Sequence, residues 1–268
     1  YVSNSSTVVG MPVDTNATVT YIPPLSEGSN QMLVRVTAED RKTRKDYMLK
    51  FYRMGADYTS PTIGSLKYVP AGTFQRDAGA TNISYVSAFR MARTEVTRAQ
   101  YSNVMGVDPS QTAYSTGVDD PVQHVNWYHA IAFCNKLSIR ESLTPVYAVA
   151  GVDFNALPHA AIPLTNNSLW NAASNNRAAN GYRLPTEMEW MWVAMGAQLG
   201  GDPFEVNTTG YAKPFAGSTG SNSIDDYAWY GCYSGGSATT ATTTVVGSKL
   251  ANKLGLRDMS GNVWEWCL

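Results

Sequence analysis

Residues 255–268 of this 268-residue chain, GLRDMSGNVWEWCL, hold its most chemically pointed arrangement. Asp258 and Glu265 stand seven residues apart around Gly261, among large apolar side chains. Hard cations such as calcium take roughly six to eight oxygens, drawn from carboxylates and backbone carbonyls. In DMSGNVWE the two acids offer side-chain oxygens, and a tight turn at Gly261 lets the carbonyls of Gly261 and Val263 face the same centre. The expectation is a metal site made of Asp258, Gly261, Val263 and Glu265. In the competing reading Asp258 caps a turn and Glu265 meets an arginine, with Arg183 the candidate. Either way, a buried carboxylate pair demands a compensating group.

Other residues with chemical potential are less pointed. NSIDDYAWYG (222–231) offers Asn222, Asp225 and Asp226 as a possible second metal site, but such residues also make ordinary turns in solvated loops. Arg183, Glu187 and Glu189 are read as scaffold, with Glu189 closing a capping box and Arg183 pairing with a buried acid. His124, His129 and His159 lack metal-ligand spacing, and His129 is read as a surface residue of its helix. Cys134 lies on an apolar helical stripe, so it is a buried thiol or half of a disulfide, and nothing local would activate it as a nucleophile. Trp190, Trp192, Trp264 and Trp266 are assigned to core packing ahead of carbohydrate stacking. The Asn-rich stretch 164–181 is read as an exposed loop.

The elements that must hold these residues can also be read. Hydrophobic residues make up 44%, so the chain is globular, and charged residues are only 15%. Net charge is −1 and no cationic face is visible, which excludes nucleic acid and an anionic membrane surface as partners. No apolar run reaches the ~18–20 residues of a membrane helix. Tyr1 reads as a cut end. The three cysteines, Cys134, Cys232 and Cys267, are too few for a disulfide scaffold and are not spaced as a zinc site.

Residues 1–54 read as a small all-β, sandwich-like module. Leu33, Val34 and Val36 precede a charged turn, and Tyr47, Leu49 and Phe51 alternate with polar neighbours, so a hairpin is expected. Residues 55–64 read as a linker. Three helices follow: one capped by Thr97 with Gln100 and stopped at Gly106, one capped by Asn126 and burying Ala130, Phe133, Cys134 and Leu137, and one capped by Thr186 with Glu189. In the last, Trp190, Val193 and Ala194 form the expected apolar stripe. Residues 196–250 show little periodicity, and loops of that length are usually functional or ion-stabilised.

Three segments in order carry a likeness: MARTEVTRAQYSNVMG (91–106), PVQHVNWYHAIAFCNKLS (121–138) with GYRLPTEMEWMWVAMGA (181–197), and NKLGLRDMSGNVWEWC (252–267). Together they resemble the formylglycine-generating-enzyme, or sulfatase-modifying-factor, domain, over residues 65–268. The resemblance implies an α+β, C-type-lectin-like fold with much irregular backbone and paired N- and C-terminal strands. It implies structural calcium at Asp258, Gly261, Val263 and Glu265, a second ion in the 222–226 loop, and a pairing of Cys134 with a cysteine near the end of the domain. Residues 1–54 more weakly resemble cadherin-like or immunoglobulin-like modules, which implies a stalk on a secreted or surface bacterial protein.

The family divides in function. Its enzymes oxidise a substrate cysteine with copper and a cysteine pair, whereas the variable proteins of bacterial diversity-generating retroelements use the fold to display binding residues. Both functions are written after WEWC, and this chain is expected to stop short of that segment. No position here matches the catalytic cysteine pair. The reading favoured is a surface-exposed, non-enzymatic ligand-binding protein with a protein or glycan ligand. The alternative is a copper-dependent formylglycine-generating or related sulfur-oxidising oxidoreductase.

Overall fold

A computed structural model describes residues 17–21, 28–198, 205–230 and 242–268 of the chain. Cys232 therefore lies outside the described residues.

The N-terminal part is a three-stranded antiparallel sheet, β1 (Thr18–Tyr21), β2 (Gly28–Thr37) and β3 (Arg44–Arg53), in the order β1-β2-β3. The expected hairpin is β2–β3. Asp40 closes its turn by accepting from the amides of Lys42 and Thr43 at 2.8 and 2.7 Å. Arg35 and Asp46 stand opposite one another in register and form a two-pronged ion pair on the exposed face. Further strands of the expected sandwich would fall on residues 1–16 and 22–27, outside the described residues.

Residues 55–64 carry more structure than a tether. β4 (Tyr58–Ser60) pairs with β5 (Gly64–Val69), which pairs with β8 (Phe89–Ala92). Ser60 accepts from the amides of Thr62 and Ile63 and donates to Glu141 at 2.6 Å, fastening this turn to the second helix. A two-stranded sheet, β6 (Gly72–Gln75) with β7 (Ile83–Val86), lies alongside in sequence.

The three helices form where the caps place them. α1 (Arg98–Met105) has the Thr97–Gln100 capping box and stops at Gly106, whose φ of 75° is the left-handed conformation that favours glycine. α2 (Trp127–Arg140) starts at Asn126, and α4 (Glu187–Ala194) starts at the Thr186–Glu189 box. Between them, the Asn-rich stretch is more ordered than an exposed loop. Asn167 caps a one-turn helix, α3 (Ser168–Asn171), and β10 (Ser174–Asn175) pairs with β9 (Tyr147–Ala148).

Two apolar clusters fill the head. One gathers Tyr101, Ile131, Leu137, Phe154 and Trp170 around α1 and α2. The other gathers Val69, Phe74, Trp192, Val193 and Leu256 around α4. The second corrects the expected stripe of α4. Trp192 is completely buried, stacked on Phe74 with ring centroids 5.5 Å apart, while Trp190 and Ala194 are half-buried. Gly72 leaves room for that indole: a Cβ there would lie 2.4 Å from it. The result is an α+β fold with small sheets and long irregular connections. Residues 263–268 form no strand.

Candidate functional site

The C-terminal turn is built by close backbone approach. Asp258 and Asn262 have φ of 62° and 66°, a conformation in which Asp and Asn are among the few tolerated side chains. Between them, Gly261 packs against the backbone of Trp229, and a Cβ there would lie 1.9 Å from the Trp229 carbonyl oxygen. The amide of Asn262 donates to that same carbonyl at 2.9 Å. Two left-handed residues in five is the local strain that collects at binding sites and switches.

Asp258 is buried. Its Oδ2 accepts from the amide of Gly247 at 2.6 Å, while Oδ1 is buried with no hydrogen-bond partner. Two more buried orphans, Thr244 Oγ1 and Arg257 Nε, belong to the same junction, where residues 244–249 meet 257–262. Among the described residues these three are the buried side-chain polar atoms without a partner. Orphans are rare in folded proteins, and here an acceptor on Asp258, a hydroxyl on Thr244 and a guanidinium donor on Arg257 gather at one junction.

The sequence reading missed a third acid here. Glu95, on the strand-to-helix link before α1, accepts from Asn262 Nδ2 at 2.8 Å and from the amide of Val263 at 3.2 Å. Burial, then the carboxylates of Glu265 and Asp258, push its carboxyl up to about 9. Burial also raises Asp258, outweighing the Gly247 amide and the Arg257 charge. Glu265 is raised as well, by burial and by Asp258, against the Trp190 indole, which donates to its Oε2. The signal for Glu95 lay in the motif RTEVTRAQ, where an acid precedes a capping box without closing it.

Arg183 does not neutralise this cluster. It forms a two-pronged pair with Glu189, at 2.6 and 2.7 Å, while Glu189 also accepts from the Thr186 amide at 2.8 Å. The scaffold reading of Arg183 and Glu189 therefore holds, and the arginine alternative for Glu265 does not. Among the described residues no group of three His, Cys, Asp or Glu side chains is arranged as a ready metal cage. In the 222–226 loop, Asn222 Oδ1 accepts from Thr219, Asp225 accepts from the Tyr230 hydroxyl, and Asp226 sits in a 3₁₀ turn. Their bonds run to different partners.

Beside the acids opens a groove of about 680 Å³, lined by Leu66, Met91, Phe133, Cys134, Val263 and Trp266 among others. Two tryptophans at its rim correct the core assignment. Trp264 is 98% exposed and Trp266 48%, with the Trp266 indole donating to the carbonyl of Val125 at 2.9 Å. Residues 263–266 line the groove with no sheet to cover them, and the three consecutive side chains Trp264, Glu265 and Trp266 are exposed.

The thiols are quiet. Burial pushes Cys134 up to about 12, and Cys267 is raised by burial and by the carboxylates of Glu265, Glu187 and Glu189. Both are free. The surface assignment of His129 is overturned, since it is 2% exposed and packed on His159. The reason is the cap: His129 is the third helical residue, turned inward towards Asn126.

With this geometry in hand, comparisons with known proteins place the chain. The sulfatase-modifying factor enzyme 1-like domain matches residues 55–268. A chaperone protein, LppX of Paenibacillus barcinonensis, is 35% identical over 216 residues, covering 75% of this chain and 70% of that protein. Treponema denticola variable protein 1 is similar in structure, with a TM-score of 0.63 and 36% identity over 79% of this chain and 75% of that one. The crystal structure of CarF matches with a TM-score of 0.55 and 27% identity, over 75% of this chain and 79% of that one. The head is thus C-type-lectin-like, as the motifs implied. The chain belongs to the sulfatase-modifying factor enzyme 1-like domain family.

Proposed function

We propose that the chain is a bacterial ligand-binding protein whose C-type-lectin-like head contacts a protein or glycan, and that it performs no oxidation. The observation that carries this reading is the open groove with the exposed indoles of Trp264 and Trp266 beside it, the amphipathic contacts that binding surfaces use. Relatives named as a variable protein and a chaperone support the same direction. Display at the cell surface, with the β1–β3 module as stalk, and diversification of the contact residues by a retroelement complete the reading.

The second reading, a copper-dependent formylglycine-generating oxidase, is favoured by the family name itself. Oxygen consumption with copper and a cysteine-bearing sulfatase peptide separates the two. The binding reading expects no turnover, together with saturable capture of a protein or glycan that persists in a copper chelator. Turnover would reverse the assignment.

Structural calcium is part of the proposal. Asp258 and Glu265 would hold it through their carboxylates and Gly261 and Val263 through their carbonyls, with Glu95 as a neighbouring third acid. The fit rests on the orphaned, buried Asp258 Oδ1 and on three neighbouring acids that form no ion pair among the described residues. Bound there, calcium would supply the positive charge that lets these acids remain ionised.

A further inference from the structure

The strand β8 meets the groove edge-on. A sheet that lines a cavity with one face contributes alternate residues, because successive side chains point to opposite sides. β5 contributes Leu66 alone. β8 contributes Phe89, Arg90, Met91 and Ala92, four in a row. Consecutive residues reach one space when a strand turns its edge to it, and β8 is the last strand in the order β4-β5-β8.

The register identifies the backbone groups on that edge. The Arg93 amide donates to the Ser65 carbonyl at 2.9 Å, so the bonded positions of the β5–β8 ladder continue at Met91 and Phe89. Arg90 and Ala92 lie between these positions and turn their N–H and C=O groups away from β5. Among the described residues no strand takes up those groups. The edge is also poorly defended. It holds no proline, and its one charged side chain, Arg90, is drawn off to the Ala56 carbonyl at 2.9 Å and lies over the Tyr68 ring.

The rest of the groove suits an extended chain. Four residues of edge span about 13 Å. An added strand points its side chains alternately to either side, and two apolar surfaces are available to them. One is the α2 stripe of Ala130, Phe133, Cys134 and Leu137, and the other is the exposed Trp264 indole. The charges favour an acidic guest. The carboxylates of Glu95 and Glu265 are engaged by Asn262 and the Trp190 indole, and Arg183 is paired with Glu189. Arg177 lines the groove, is exposed, and is in no ion pair among the described residues.

We propose that the head takes up an extended peptide of a partner protein as an added strand along β8, with apolar side chains at alternate positions and an acidic side chain facing Arg177. The inference rests on the binding reading above and commits it to protein over glycan. Affinity comes from main-chain bonds at Arg90 and Ala92, and selectivity from the alternate side chains and the Arg177 charge.

Synthetic octapeptides that alternate valine or leucine with threonine, around one central glutamate, are the probes, titrated by calorimetry into the full chain at neutral pH. Saturable binding of one peptide per chain is expected, with the amides of Arg90 and Ala92 exchanging with solvent roughly tenfold or more slowly in the complex. Fully N-methylated versions, which cannot donate to the edge, should lose binding. Ala92→Pro removes one outward N–H without touching the β5 ladder, and proline is tolerated on edges; affinity should fall roughly tenfold or more. Arg177→Glu leaves the sheet alone, so it keeps the test open where the proline variant does not fold. It should weaken the glutamate peptides by roughly tenfold and favour counterparts carrying lysine.

Binding that survives N-methylation and both substitutions would overturn the proposal. Slow exchange of Arg90 and Ala92 in the chain alone would also overturn it, by showing the edge already covered. Capture of a glycan with no peptide bound would overturn it while leaving the binding reading in place. Turnover of the sulfatase peptide with copper would remove that reading and this inference with it.

Discussion

Two carboxylates drawn into the head, Glu189 and Glu95, meet opposite fates. Glu189 is pushed up by burial, but the two-pronged Arg183 guanidinium and the Thr186 amide outweigh that and hold it below the usual carboxylate range. Glu95 has only an amide group and one backbone N–H, and it shares its neighbourhood with Asp258 and Glu265. It rises to about 9. The Arg183–Glu189 region carries its own counter-charge and is complete as folded. In the C-terminal turn burial outweighs the Arg257 charge at Asp258, and Asp258 Oδ1 has no hydrogen-bond partner.

One isosteric change made in both places sharpens the contrast. Glu189→Gln leaves the half-buried Arg183 without its partner and should cost about 3 kcal/mol in chemical denaturation at pH 7. Glu95→Gln should cost within about 1 kcal/mol in the absence of metal, because burial already favours the uncharged acid. Equal losses would erase the distinction. Next in size is Gly261→Ala, whose methyl must displace the Trp229 backbone; a loss of about 1–3 kcal/mol is expected, read from the shift in denaturation midpoint. Smallest is Trp264→Ala. An indole 98% exposed contributes within about 0.5 kcal/mol to stability, so the substitution should leave the melting curve in place while weakening capture of a ligand. A large stability loss there would show that the rim tryptophan is structural.

Much of this was legible in the sequence because it was local. Capping boxes are three-residue relations, and those at Thr97 and Thr186 form as written, as does the left-handed stop at Gly106. The β2–β3 hairpin followed from period-2 alternation around a charged turn. What escaped was set by contacts distant in sequence. Glu95 reaches Asn262 across 167 positions, and no spacing rule links them. Trp192, and not Trp190, enters the core because Phe74 and Gly72 meet that side of α4. His129 was placed at the surface because a histidine in a first helical turn usually faces water; the inward turn of its Asn126 cap was invisible without Pro163 and His159. Trp264 and Trp266 carry the motif of a packed core, yet the backbone of 263–268 presents them at the groove's rim.

The central claim is that the acids of the C-terminal turn await a cation. It is tested most directly by calcium titration of protein stripped with EDTA, following the melting temperature alongside the heat of binding. The account predicts saturable uptake of one calcium at this turn, with a rise in melting temperature corresponding to about 2–3 kcal/mol at a hundredfold excess over the dissociation constant, lost in Asp258→Asn. An unchanged melting temperature and no binding heat, or uptake that survives Asp258→Asn, would contradict it.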